Sequence, residues 1–202
     1  MKNKLRLNLE RKPNPYPDSP NACTELWGDV VIKILLVDGQ EITLFNLEWD
    51  ITEFIEWFTE NQSALCQEKL SFQGYVPMPT ESLAEAGNRL YSMEVSDAEL
   101  AYQRDEAMYW YGRRHSISTA FFGVKLPDIV IGCNHGSGEI SLSDAKDSWA
   151  YRFDMNDFCA DSRQKFCELL NNWVATAQST CERERATELL NSLAVSMQGC
   201  CQ

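Results

Sequence analysis

The stretch from Asp29 to Glu68 constrains the fold more than any other part of the chain. Val30-Val31-Ile32-Lys33-Ile34-Leu35-Leu36-Val37 is an almost unbroken run rich in β-branched residues, the pattern of a strand covered on both faces or central in its sheet. Asp38-Gly39 supplies a dipeptide that tolerates positive φ, as a tight hairpin turn requires. On the return run, Glu41 to Trp49, Ile42 and Leu44 and then Leu47 and Trp49 alternate, with Phe45 between. The inward phase therefore slips by one near Phe45-Asn46, and a β-bulge there restores the register. Asp50-Ile51-Thr52-Glu53 has the spacing of a capping box, with Asp50 accepting from the first turn and Glu53 reaching back, so a helix is expected from Ile51. Ile51, Phe54, Ile55, Phe58 and Leu65 share one face of that helix, and Glu53, Glu56 and Glu60 line the other.

The remaining segments sort around this β-β-α unit. Leu5, Leu7 and Leu9 alternate with polar residues, giving a short edge strand within 1–12. Lys2, Lys4, Arg6, Arg11 and Lys12 make that strand either a basic arm or an edge guarded by its cations. Pro13, Pro15, Pro17 and Pro20 make 13–28 an extended connector. Within 80–114, Thr80 is positioned to cap a short helix to about Met93, and Ser96-Asp97-Ala98-Glu99 opens a longer one to about Arg114. Residues 127–154 read as a β-meander: Asp128 to Ile131, a turn over Asn134 to Gly138, Glu139 to Leu142, and then Trp149, Tyr151 and Phe153 alternating with polar or small residues. Between Asn156 and Gln198 there is neither Gly nor Pro. Cys159, Phe166, Leu169, Leu170, Trp173, Val174 and Ala177, and then Ala186, Leu189, Leu190, Leu193 and Met197, recur at helical spacing, with Ser179-Thr180-Cys181-Glu182 marking a break between two helices over 156–198. The expectation is a single α+β domain with a largely antiparallel sheet, helices packed mainly on one face, and a helical C-terminus.

With 202 residues, 44% of them hydrophobic, the chain is long enough to bury one sizeable core. Its formal charge of -12 disfavours direct binding to duplex nucleic acid, because phosphate contacts need clustered Lys and Arg, and favours a basic partner. The N-terminal residues contain no apolar run of the signal-peptide kind, and no segment approaches membrane-spanning length. A cytoplasmic location is expected. The cysteines Cys23, Cys66, Cys133, Cys159, Cys167, Cys181, Cys200 and Cys201 are then expected as reduced thiols, and the sequon Asn61-Gln62-Ser63 carries no meaning.

Few residues suggest chemistry. His115 and His135 are the only histidines, and Cys133-Asn134-His135 has no accompanying Cys-x-x-Cys, so a zinc site would have to borrow Cys159 or Cys167. There is no phosphate loop, no nucleophile elbow and no dinucleotide fingerprint. No cofactor, no metal and no catalytic residue is expected. Two surface features stand out instead. One is the acidic helix face of Glu53, Glu56 and Glu60, with Glu48 and Asp50 at its entrance and a second acidic group at Glu94, Asp97, Glu99, Asp105 and Glu106. Such charge either steers a basic protein or is an ordinary solvated face. The other is Met108-Tyr109-Trp110-Tyr111, whose successive large side chains cannot all face one core. Tyr109, Trp110 and Tyr111 are either a binding surface or buried against a neighbouring helix.

Two resemblances add expectations. Pro127-Asp128 followed by Glu139-Ile140-Ser141 resembles a restriction-endonuclease-type nuclease motif, in which two carboxylates on adjacent strands hold Mg²⁺. Ser141 stands where that family has its lysine, and Glu139 reads more simply as an exposed strand residue. The segment Leu44 to Glu68, with Trp49, Trp57-Phe58, Asn61, Leu65 and Glu68, joins Arg114-His115, Ala120, Gly123, Leu126 to Ile131 and Gly138 to Ser141 in a second likeness. Together they resemble a family of small bacterial immunity-protein-like and defence-associated proteins, with Leu142 in place of the Trp expected there. That resemblance implies an α+β cytosolic protein that acts by binding and supplies no catalytic residue. The leading expectation is a protein-binding module of immunity-protein or inhibitor type that occludes or scaffolds a basic partner. The alternatives are a metal-dependent nuclease or hydrolase using Asp128 and Glu139, and an accessory subunit of a defence complex.

Overall fold

A computed structural model describes residues 2–196, so Met197, Cys200 and Cys201 lie outside the described residues. The elements run β1 (Lys4–Arg11), β2 (Trp27–Leu35), β3 (Glu41–Asp50), α1 (Ile51–Gln67), α2 (Leu83–Ser92), α3 (Ala98–His115), a 3₁₀ turn (Ile117–Ala120), β4 (Val130–Asn134), β5 (Ser137–Ser143), β6 (Ser148–Phe153), α4 (Met155–Thr176) and α5 (Thr180–Ser196). The α+β class and the antiparallel pairing hold, but the strands form two three-stranded sheets, β1-β2-β3 and β4-β5-β6, rather than one. Where a single domain is expected from the sequence, the chain divides into two compact units, 1–62 with 156–202, and 63–155; the division falls within α1.

In the first unit β2 is the central strand, and its sides alternate: Val30, Ile32 and Ile34 are buried while Asp29, Val31, Lys33 and Leu35 are half-exposed. The apolar run is therefore central but covered on one face only. Leu5 and Leu7 of the edge strand β1 pair with Ile34 and Ile32 and continue the buried face. β2 begins at Trp27, two residues inside the segment expected as connector, because Lys12 N–H donates to the Trp27 carbonyl and extends the ladder. Gly28 permits that extension, since a β-carbon there would stand 2.1 Å from the Glu10 carbonyl oxygen. The bulge lies at Leu44: Ile32 pairs with Phe45 and Lys33 with Thr43, one residue earlier than the phase slip suggests.

Asp50 caps α1 as expected, accepting from Thr52 N–H and also from Leu26 N–H. Glu53 accepts the Trp49 indole N–H. Phe54 and Phe58 meet Phe158 and Phe166 of α4 edge to face, the aromatic centre of this core. The break before α5 follows the sequence signal: Ser179 Oγ accepts from Glu182 N–H while Glu182 accepts from Ser179 N–H. The expectation of reduced cysteines is corrected here. Cys23 in the connector and Cys181 at the start of α5 are joined by a disulfide, whereas Cys133 and Cys167 are free thiols.

In the second unit β4 and β5 meet through a two-residue turn, His135-Gly136, with φ of 48° and 79°. Positive φ at both positions is the hairpin geometry that matches strand twist. β4 starts at Val130 and not at Asp128, since Ile129 N–H turns back to the Pro127 carbonyl. α2 is capped by Ser82 with Glu85 in a capping box, later than the Thr80 expected. α3 is capped by Asp97 rather than Ser96.

Candidate functional site

The acidic face of α1 is partly occupied by the protein's own cations. Glu56 pairs with Arg185 of α5 at 2.7 Å, and Arg185 also binds Glu188. Glu53 is half-buried and receives the Trp49 indole N–H, and Glu60 is the one of the three that is exposed. At the helix entrance Lys12 bridges Asp29 and Glu48. Glu56 and Glu48, two of the carboxylates that read as a steering surface in the sequence, therefore pair with cations of the first unit.

The aromatic run divides along the periodicity of α3. Tyr109 and Trp110 are 56% and 49% exposed and meet edge to face with centroids 5.2 Å apart. Tyr111 points the other way: it is buried, packs with Leu70, Leu83, Ala86 and Leu90, and stacks on His115 with centroids 3.9 Å apart. Of the three, Tyr111 is the one that belongs to the core of the second unit.

Tyr109 and Tyr111 line an open cleft of about 730 Å³ walled by α2, α3 and the segments around β4 and the β5–β6 turn. Leu83, Ala84, Met108 and Val130 contribute apolar surface, and Tyr91, 68% exposed, adds a third aromatic. Three carboxylates, Asp105, Asp128 and Asp144, also line it, and among the described lining residues none is Lys or Arg. Each carboxylate is held in place. Asp105 takes hydrogen bonds from Arg104, Asp128 takes one from the Ser116 hydroxyl, and Asp144 accepts the backbone N–H groups of Lys146 and Asp147. Those two N–H groups keep the Asp144 carboxyl below the usual aspartate value.

Two glycines open the walls. Gly87 in α2 and Gly112 in α3 both line the cleft, and neither has positive φ. A β-carbon at Gly87 would find only Met108 Cε at 3.7 Å, and one at Gly112 would find nothing within 4 Å. Glycine inside a helix costs about 1 kcal/mol relative to alanine, and no backbone demand accounts for it here. Gly87, Gly112, Tyr91 and Asp144 are site residues the sequence reading missed. Helical glycines without a turn to serve were the available signal.

The Glu139-Ile140-Ser141 motif has a structural task. Glu139, expected at the surface, is buried: Oε1 accepts Leu83 N–H at 2.6 Å and Oε2 accepts the Asn134 side-chain N–H at 2.9 Å. Ser141 Oγ accepts Ala84 N–H, and Ser82 Oγ accepts Glu85 N–H. Strand β5 and the cap residue thus satisfy the first three donors of α2, and a carboxylate sits at the positive end of its dipole. Gly132 is the register partner of Glu139, whereas Asp128 precedes β4 and faces Ser116. No three His, Cys, Asp or Glu side chains come together as metal ligands among the described residues. His135 makes a polar contact with the Met78 carbonyl, and burial followed by the neighbouring Cys66 pushes the Cys133 thiol up.

A buried polar group sits beneath α3. His115 is fully buried; its Nδ1–H donates to the Ile131 carbonyl at 2.9 Å and its Nε2 stands 3.1 Å from Glu68 Oε2. Glu68 also takes two hydrogen bonds from Arg114. Burial pulls His115 below its ordinary value, against the opposing pull of Ile131 and Glu68. Burial also opposes the charge on Glu68, but Arg114 and His115 outweigh it and the carboxyl stays below the usual range. Gly132 makes room for the imidazole, since a β-carbon there would lie 2.7 Å from His115 Nδ1. The Tyr111 hydroxyl is buried without a partner, and burial, then Glu68, Glu139 and Cys133, push its ionisation well above the ordinary tyrosine value and make it a weaker acid.

Comparison of the chain with models of protein families, with curated proteins and with solved structures finds no match.

Proposed function

We propose that this chain is a protein-binding module of immunity-protein or inhibitor type that occludes or scaffolds a more basic protein. The observation that carries this reading is the cleft of the second unit, where apolar and aromatic walls meet Asp105, Asp128 and Asp144 with no basic lining residue among those described. A net charge of -12 supports it, since a field of that sign raises encounter rates with cations and rejects acidic competitors. Exposed Tyr91, Tyr109 and Trp110 offer rigid contact area of the kind that anchors interfaces.

The test is to identify proteins retained by the chain from its native host at low salt, and to measure association rates of the retained protein at several ionic strengths. With Glu60→Lys, Asp105→Lys and Asp144→Lys combined, the on-rate should fall about tenfold or more at low salt and its salt dependence should flatten. An acidic retained protein, or unchanged association kinetics, overturns the reading.

A further inference from the structure

Resting on that reading, we propose that the cleft between α2 and α3 receives one basic side chain of the partner, its aliphatic stem against the apolar walls and its cationic head among the aspartates. Three features combine to select this occupant.

The first is shape. A cleft of about 730 Å³ lies within the roughly 300–1,000 Å³ range of small-ligand sites, and the missing β-carbons of Gly87 and Gly112 keep it open on the two facing helices. Filling either position would stabilise its helix, so the space is maintained against helix propensity. The second is the split of chemistry. Leu83, Ala84, Met108 and Val130 are apolar, whereas Asp105, Asp128 and Asp144 are ionisable acids. Lysine and arginine alone among side chains pair a long apolar stem with a cation, and they bury the stem while keeping the head among polar groups. The third is charge balance. The acidic residues of the first unit that face basic residues are already paired, Glu56 with Arg185 and Asp29 and Glu48 with Lys12. At the cleft, Arg104 forms an ion pair with Asp105, whereas the contacts that hold Asp128 and Asp144 are a hydroxyl and backbone N–H groups, with the Lys146 charge acting on Asp144 without a direct contact.

An anionic ligand would meet three carboxylates, and a purely apolar one would bring no cation to Asp128 and Asp144. The aromatic rings of Tyr91 and Tyr109, both on the lining, add faces on which a guanidinium or ammonium can rest.

The experiment titrates the full-length ¹⁵N-labelled chain with n-butylguanidinium and n-butylammonium as probes, and with n-butanol and butyrate as controls, reading backbone amide shifts. Both cations should give saturable shifts at Gly87, Gly112 and Ser143. Butanol should bind about tenfold more weakly, the scale of one charge-assisted hydrogen bond, and butyrate not at all. Gly112→Leu should abolish the cation shifts, and Asp105→Asn with Asp128→Asn should weaken the cations about tenfold while leaving butanol unchanged. If Gly112→Leu does not fold, the paired Asn variant carries the test alone. Equal binding of butanol and the cations, preference for butyrate, or cation shifts that map elsewhere would overturn the proposal. The titration needs no partner protein, so failure of cation binding counts against this site, while failure to retain a basic protein counts against the module reading.

Discussion

The two compact units both pair carboxylates with their own cations and differ in what their cores bury. The first encloses an aromatic core of Phe54, Phe58, Phe158, Phe166 and Trp173, pairs its carboxylates with Lys12, Lys165 and Arg185, and carries the Cys23–Cys181 disulfide. The second has a smaller apolar cluster, sinks Glu81, His115, Asn134, Glu139 and Ser141 beneath its surface, and leaves three aspartates lining an open cleft. The buried Glu139 and Ser141 of the second unit satisfy the first turn of α2, and the open cleft beside that helix is where a ligand has most to gain.

The sharpest contrast is between glycines. Gly28 lies where β1 and β2 nearly touch, with a β-carbon 2.1 Å from the Glu10 carbonyl and 2.8 Å from Ile51 Cδ1. Backbone oxygen cannot step aside, so Gly28→Ala should destabilise by about 4 kcal/mol or more, the upper range for single substitutions. A thermal melt should fall by roughly 8–16 °C at about 2–4 °C per kcal/mol for a chain of this size. A shift of only a degree or two would mean that the sheet is looser than the first unit's role demands.

Breaking the disulfide by Cys23→Ser should cost next most. The bridge closes a sequence separation of 158 residues, for which chain entropy alone gives about 5 kcal/mol and measured bridges give roughly 2–4. Amide exchange should quicken in α5 and the connector, with the cleft amides of the second unit unchanged. Glu139→Ala tests the second unit in the same way. It strips the acceptor from Leu83 N–H and from Asn134, and two buried donors left unmatched should cost about 2–3 kcal/mol, read as faster exchange in the first turn of α2.

Acid should weaken the second unit through His115. Its folded value is lowered by burial, so the stability it contributes is complete above the unfolded value near 6.5 and is lost as pH falls from there through the folded value. Glu68, also lowered, adds a further loss at more acidic pH, below the ordinary glutamate value of about 4.3. NMR titration should place His115 below 6.5; a value above it would show that the Glu68 contact outweighs burial.

The first unit was largely legible in the sequence because its signals are local. The β-branched run, Asp38-Gly39, Asp50 before Ile51 and Ser179 before Glu182 each act over a few residues, and each appears at or within a residue or two of its expected place. What was not legible depends on partners distant in sequence. Cys23 finds Cys181, Glu56 finds Arg185, and Glu139 with Ser141 caps a helix that begins at Leu83. No local pattern marks a strand carboxylate as the cap of a helix more than fifty residues earlier, so Glu-x-Ser was open to a metal-site reading. The aromatic run was half legible: periodicity separates Tyr109 and Trp110 from Tyr111, but the inward side depends on where α2 lies.

The smallest predicted effect separates the two kinds of glycine most directly. Gly112→Ala introduces the same β-carbon as Gly28→Ala, but into space with no atom within 4 Å, in a helix where alanine is favoured by about 1 kcal/mol. The variant should melt higher than the parent by roughly 2–4 °C at that size of gain. It should also bind the butyl cations more weakly than the parent, because the added methyl projects into the cleft that the glycine keeps open. Higher stability joined to weaker binding would identify Gly112 as a position held for function, since packing alone would select the larger residue. Lower stability would place an unrecognised constraint on α3 and make Gly112 a structural glycine like Gly28.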